Sequence, residues 1–347
     1  MLALAQTLFA PLDIGAVKLA ADARVLVLGA RDGQGWRQHA GPHWCCEQGF
    51  RPWHDALRAA GLAATERVAD ATFDAALIFT PRQRERARAL YARAAALVGE
   101  GGTILAAQRN DQGARSAQAD FGALLGAAEQ HTQRKCRVFW ARRQHDRIDA
   151  ERLAQWQALD TPQPILGGRW WSRPGLFAWD RIDAGSALLA AQLPTTLAGR
   201  VADLGAGHGY LACAILERCP QVDALDLYEA EALAREPALR NLAAAVAASG
   251  RAVDTHFHWH DVRQGLTRSY DAIVTNPPFH EGRADEPELG RAFIAAAAAA
   301  LAPTGELWLV ANRHLRYEAL LAQRFSQVRE LACDEGYKVI HATGPRA

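Results

Sequence analysis

Asn276-Pro277-Pro278-Phe279 is the segment of this chain best suited to chemistry. Two consecutive prolines hold the backbone in an extended turn and remove two N–H donors, so carbonyl oxygens face whatever lies beside them. The Asn276 side-chain oxygen and the Pro277 carbonyl can each accept one N–H from an exocyclic amino group, leaving its lone pair free to meet an electrophile. Phe279 can stack on a planar ring, and His280 follows as a second-tier site residue. An amino group conjugated to a ring is a poor nucleophile, and two acceptors help it pyramidalise as attack begins. Upstream, Asp203-Leu204-Gly205-Ala206-Gly207-His208-Gly209 follows an apolar run and precedes the helical LACAILERC. Such a glycine turn lets the backbone approach a ligand closely, and it suits a dinucleotide or a methyl donor equally.

These segments need a scaffold, and the chain carries one twice. RVLVLGA (24–30) parallels RVADLGAGHG (200–209), and FDAALIFTP (73–81) parallels YDAIVTNPP (270–278). LVGEGGTILAA (97–107) stands beside LAPTGELWLVA (301–311), and RKCRVFWA (134–141) beside GYKVIHA (336–342). Four correspondences in one order imply two similar α/β domains, 1–150 and 165–347, each a mostly parallel, doubly wound sheet. In the second copy, strands are expected near Arg200–Leu204, Val222–Leu227, Ala252–His258, Ala272–Thr275, Glu306–Val310 and Tyr337–Ala342. Pro237 implies a kink or a late helix start in ALAREPALRNLAAA.

Composition narrows the class. Half of the 347 residues are apolar, enough for each half to bury its own core. No stretch approaches the roughly 18 uninterrupted apolar residues of a membrane span, and the N-terminal segment lacks a basic leader, so a cytoplasmic protein is expected. The six cysteines form no CxxC pair, which signals neither a disulfide framework nor a zinc site. His43, Cys45 and Cys46 read as an ordinary loop with Trp44 and Trp53 partly buried. His256, His258 and His260 share one strand face, but no carboxylate-rich motif accompanies them and no metal is expected. Residues 1–170 carry 22 basic against 17 acidic residues and the remainder 17 against 21, so the first half is better suited to a polyanion. The run Arg82, Arg84, Arg86, Arg88, Arg93 is either part of that surface or a solvated helix face.

DLGAGHG headed by Asp203 resembles the first motif of class I S-adenosylmethionine-dependent methyltransferases. The resemblance implies a loop passing under the methionine portion of the cofactor, with Asp203, Gly205, Gly207, Gly209 and Asn276 among the cofactor-binding residues. Glu229, past the second strand, is placed for the ribose hydroxyls, with Asp226 as the alternative, and Asp261 for the adenine amino group. Taken with NPPFH, the segments PGLFAWDRIDAGSALL (174–189), RNDQG (109–113) and YKVIHA resemble ribosomal RNA small-subunit guanine-N2 methyltransferases of the RsmC type, over nearly the whole chain. That family implies two tandem methyltransferase-like domains, the first degenerate and supporting RNA binding and folding, the second catalytic. It also implies guanine N2 of 16S rRNA as target and ribosomal RNA or the small subunit as partner; a monomer is expected. Phe177 is a candidate substrate contact by the same resemblance, although Ala178-Trp179 stand where the family usually has Ser-Arg. Ala206 replaces a frequent Cys, and His208 either crowds the cofactor or contacts its carboxylate. Adenine-N6 and glutamine-N5 methyltransferases share the logic of Asn-Pro-Pro-aromatic but usually carry Tyr in place of Phe279. A large-subunit guanine methyltransferase and a catalytically silent RNA-binding assembly factor are the remaining alternatives.

Overall fold

Strands covered on both faces read as unbroken apolar runs, and VLVL and FDAALIF become such strands. The computed structural model describes residues 2–31, 36–278, 280–281, 284–285 and 287–346, in two units, Met1–Thr161 and Pro162–Ala347.

In the first unit β1 (Val25–Leu28), β2 (Trp44–Glu47), β3 (Ala64–Thr65), β4 (Phe73–Phe79), β5 (Val98–Arg109), β6 (Glu129–Gln133) and β7 (Cys136–Arg142) form one sheet in the order β3-β2-β1-β4-β5-β7-β6. The strands from β3 to β5 are parallel and the β6–β7 hairpin is antiparallel. One face is covered by α1 (Leu2–Asp13) and by Trp36 of α2 (Trp36–His39). The other is covered by α4 (Arg84–Leu97), α5 (Ala114–Leu125) and α6 (Ala150–Ala158), while α3 (Arg51–Ala59) connects β2 to β3. The unit runs past the expected boundary at 150, because Trp156 of α6 is buried in this core under the Arg88 guanidinium. The segment expected as a loop around Cys45 and Cys46 is instead strand β2, with Trp44 and Cys46 buried.

The arginine run is solvated at Arg82 and Arg84 but engaged by carboxylates along α4. Arg84 and Arg88 converge on Asp120, Arg86 binds Asp160, and Arg93 binds the buried Glu47. Four arginines are thus committed to carboxylates of their own unit, since Asp120, Asp160 and Glu47 are nearly out of water and need charged partners there.

The second unit opens with a short hairpin, β8 (Gln163–Ile165) and β9 (Trp170–Ser172), and α7 (Ala184–Gln192). Its sheet contains β10 (Ala198–Leu204), β11 (Gln221–Glu229), β12 (Asp254–Trp259), β13 (Tyr270–Thr275), β16 (Leu301–Asn312), β17 (Phe325–Asp334) and β18 (Tyr337–Pro345). The order is β12-β11-β10-β13-β16-β18-β17, the plan of the first unit repeated strand for strand. β14 (His280–Glu281) and β15 (Ala284–Asp285) form a two-residue ladder beside it. Helices α8 (Tyr210–Arg218) and α9 (Arg235–Ser249) pack with α7 on one face, and α10 (Pro287–Ala300) and α11 (Glu318–Arg324) on the other. Pro237 lies in the first turn of α9, where its missing N–H costs nothing, so the late start is the one realised. The closing β17–β18 hairpin is antiparallel. Among the described residues no helix is long and apolar enough to cross a membrane.

The duplication extends to an irregularity. Pairing shifts between Phe73 and Ala75 in one unit and between Tyr270 and Ala272 in the other, each time opposite a glycine in the facing strand. A Cβ on Gly102 would lie 2.6 Å from the Asp74 carbonyl oxygen, and one on Gly305 3.1 Å from that of Tyr270. Backbone cannot move aside as a flexible side chain can. Gly102→Ala is therefore expected to destabilise the first unit by about 1–3 kcal/mol, read as a lower urea midpoint at unchanged slope; an unchanged midpoint would show that the bulge relaxes freely.

Candidate methyl-transfer site in the second unit

Parallel strands deliver their loops to one edge of the sheet, where ligands of doubly wound folds bind. β10 and β13 are neighbours, with Leu204 opposite Thr275, and the Thr275 hydroxyl donates to the Leu204 carbonyl at 2.7 Å. The glycine loop after Leu204 and the turn beginning at Asn276 therefore leave the sheet side by side.

The loop is shaped by positive φ at Gly205, Gly207 and Gly209 (76°, 53° and 87°), with Gly209 preceding α8. Gly207 has no heavy atom within 4 Å of where a Cβ would stand, so its glycine serves the backbone conformation and leaves an open approach. The loop is tied to the end of β11: the Gly205 and Ala206 N–H groups donate to the Tyr228 carbonyl, and the Gly207 N–H donates to Glu229 Oε2 at 2.8 Å. Glu229 Oε1 accepts from the Glu231 N–H at 2.8 Å. Burial pushes the Glu229 carboxyl above its usual range, and the surrounding backbone N–H groups partly offset that rise.

Asp203 is fully buried beneath this loop. Its Oδ2 accepts from the Ala212 N–H at 3.0 Å, while Oδ1 has no partner. Burial pushes the Asp203 carboxyl up to about 7; the Ala212 N–H opposes the rise and Glu229 adds to it. An unmatched carboxylate oxygen next to a second acid costs several kcal/mol unless a cation or donor answers it. These residues fit S-adenosylmethionine, whose ammonium and sulfonium are cationic and whose ribose offers hydroxyl donors to Glu229. They suit a dinucleotide less well, because its pyrophosphate would lie against the Asp203 carboxyl beneath the loop.

Asn276 is half-buried and Pro277 buried, while Pro278 is exposed. Asn276 Nδ2 donates to Asp183 Oδ2 at 2.9 Å and to Ser186 Oγ at 2.8 Å, so both amide hydrogens are taken and Oδ1 is the edge left for a substrate. Phe279 lies outside the described residues. His280 lies in β14, and its side chain is likewise outside them.

Other expected residues are distributed differently. Asp226, the alternative to Glu229, points into a separate buried network, accepting from Tyr270 at 2.9 Å and bonded to His258 at 2.9 Å. Asp261 caps the turn Val262–Gln264 and is bound through both oxygens by the Arg263 guanidinium. His256 pairs with Asp254 and His260 with the Gly265 carbonyl, so each histidine of the alternating set has its own partner. His208 is buried edge-on to Trp170, 6.2 Å between ring centroids, and its carbonyl is held by Asn241. Phe177 is 68% exposed on a turn with Ala178 at positive φ.

Sequence reasoning missed Asp183 and Ser186. The signal was present: Asp183 followed three residues later by Ser186, ahead of an apolar run, is a helix N-cap, and Asp183 does accept from the Ser186 N–H at 2.9 Å.

The first unit shows what has been lost. By strand register Val27 occupies the place of Asp203, Gln48 that of Glu229, and Phe79-Thr80-Pro81 that of Asn276-Pro277-Pro278. Gln48 turns back onto the Ala30 carbonyl, and Trp36 stacks on Phe79 at 6.1 Å. Asp32 and Gly33 of its loop lie outside the described residues.

Residues 168–341 match the methyltransferase small domain family. Ribosomal RNA small subunit methyltransferase C of Pseudomonas aeruginosa (strain LESB58) is 31% identical over 313 residues, 89% of this chain and 88% of that protein. Its counterpart from Vibrio cholerae serotype O1 is 30% identical over 277 residues, 79% of this chain and 78% of that one. Ribosomal RNA large subunit methyltransferase G of Alcanivorax borkumensis is 35% identical over 173 residues, 49% of this chain and 43% of that one. Among solved structures, the T. thermophilus 16S rRNA N2 methyltransferase (RsmC), in complex with AdoMet and guanosine, superposes with a TM-score of 0.76 at 25% identity, covering 98% of this chain and 91% of that one. With two tandem Rossmann-like methyltransferase units, the first degenerate, the chain belongs to the ribosomal RNA small subunit methyltransferase C family of S-adenosylmethionine-dependent enzymes.

Proposed function

We propose that this enzyme methylates guanine N2 in small-subunit ribosomal RNA, and that its second unit alone carries the reaction. The observation that carries this reading is the hydrogen-bonded state of Asn276: its amide nitrogen is fully occupied, which presents Oδ1 as an acceptor next to the loop that fits the methyl donor. Oδ1 and the Pro277 carbonyl hold the two hydrogens of an exocyclic amino group and leave its lone pair uncommitted. S-adenosylmethionine supplies a methyl group already activated on a sulfonium, so neither a metal nor a strong base is required of the protein. Asp203 and the Gly205–Gly209 loop hold the methionine end, Glu229 the ribose hydroxyls, and Asp261, in exchange for part of its contact with Arg263, the adenine amino group. Pro278 stiffens the turn, Phe279 stacks on the base, and Phe177 and His280 flank it.

The small subunit is favoured over the large by coverage: the small-subunit relative aligns across both units, whereas the large-subunit one aligns over about half the chain. We assign structural support and RNA contact to the first unit. Its basic excess supports this, although Arg84, Arg86, Arg88 and Arg93 are spent on its own carboxylates. The free state of all six cysteines supports a reducing, cytoplasmic setting, and we take the working form to be a monomer.

The test incubates the enzyme and labelled methyl donor with separate small and large subunits from a strain lacking the modification. Label is expected on guanine N2 of the small subunit, and Asn276→Ala is expected to lower the rate by roughly 100-fold or more with little change in donor affinity. Label on large subunits, or a normal rate from the variant, contradicts the proposal. A cationic ligand favours ionised Asp203, so donor affinity should rise with pH up to about pH 7, by at most about tenfold per pH unit, and level off above it. Calorimetry of Asp203→Asn should show this dependence flattened; an equal slope in both proteins would place the proton elsewhere.

A further inference from the structure

We infer that Asp183, with Ser186, is the positioning residue that orients the Asn276 amide for the reaction; the inference rests on the role proposed for Asn276. Asp183 Oδ2 accepts at once from the Ser186 backbone N–H, at 2.9 Å, and from Asn276 Nδ2, at 2.9 Å. One carboxylate oxygen thus caps α7 and holds an amide 93 residues away in sequence. Turning the amide over would place Asn276 Oδ1 2.9 Å from a carboxylate oxygen, acceptor against acceptor. The charge on Asp183 therefore selects the orientation in which Oδ1 faces the substrate, and the Ser186 hydroxyl completes it.

The platform holding this carboxylate is itself fixed. A Cβ on Gly185 would lie 2.8 Å from the Tyr337 ring, so the first turn of α7 sits tightly on β18. An acceptor on such a turn is rigid, and rigidity matters here because a misplacement of about 1 Å in a reacting geometry can cost roughly 100-fold in rate. The hydrogen bond is charge-assisted, and polarising the amide through nitrogen makes Oδ1 a better acceptor for the positive charge that develops on the attacking amino group.

Asp, Asn and Ser cap helices about equally well, so Asp183→Asn and Asp183→Ser both preserve α7, and melting temperatures within about 2 °C of the parent check this. Asn keeps an oxygen at the length needed to accept from Asn276; the Ser hydroxyl is too short to reach it. In steady-state assays on the small subunit, Asp183→Ser is expected to lower kcat by about tenfold or more with KM for the methyl donor unchanged, and Asp183→Asn, which keeps an acceptor oxygen without the charge, to fall between Asp183→Ser and the parent. Equal rates for the two variants, or a loss seen only in KM for the donor, would overturn the assignment and leave Asp183 a helix cap. Asn276→Ala run alongside separates the two ideas: full activity there sinks the role of Asn276 itself, whereas an inactive Asn276→Ala beside a fully active Asp183→Ser sinks only the positioning role.

Discussion

The site depends on one pairing, that of β10 with β13. Their parallel register ends at Leu204 and Thr275, where the threonine hydroxyl closes onto the leucine carbonyl. From that point one strand turns into a loop over the buried Asp203 and the half-buried Glu229, and the other into a proline-stiffened turn with a half-buried asparagine. Neither segment can be shifted relative to the other without breaking a fully buried ladder, whose groups would then be left without partners. The distance between donor and acceptor is thereby set by the sheet rather than by loops.

The acids give the site its selectivity. Asp203 is completely buried with one oxygen unmatched, and Glu229 is held by backbone N–H groups at the end of the neighbouring strand. A fold pays for such a defect only where a ligand repairs it. The first unit, built on the same strand order, makes the contrast plain. With Val27 and Gln48 in those places the electrostatic demand disappears, and Trp36 against Phe79 supplies packing where the second unit has its cleft. That unit instead carries ion pairs around Asp120, Asp160 and Glu47.

Much of this was legible in the sequence because the strands that matter are buried on both faces and announce themselves as apolar runs before Gly or Pro. The duplication, the glycine loop, the NPP turn and the expected central strands all correspond to observed elements. β17 was not anticipated: it is an edge strand, FSQVRELACD, whose polar residues line both faces and leave no alternation to read. The arginines of α4 were misjudged because their partners, Asp120 and Asp160, lie more than 30 residues away in sequence. Asp183 was missed for the same reason. A cap is a local signal, but its second bond, to Asn276, exists only once α7 packs beside β13. Asp226 ranks behind Glu229 already in the sequence because it falls within the strand rather than at its tip, and the fold sends it into the core while Glu229 stands at the strand end.

Methyl donor and acceptor are brought together by geometry, and a structure with both bound tests that arrangement most directly. A crystal structure of the full chain with S-adenosylmethionine and guanosine should show one donor molecule per chain, under the Gly205–Gly209 loop against Asp203 and Glu229. The guanine amino nitrogen should lie about 2.6–3.2 Å from both Asn276 Oδ1 and the Pro277 carbonyl oxygen. A donor bound in the first unit, or a guanine whose amino group faces away from Asn276, would contradict it.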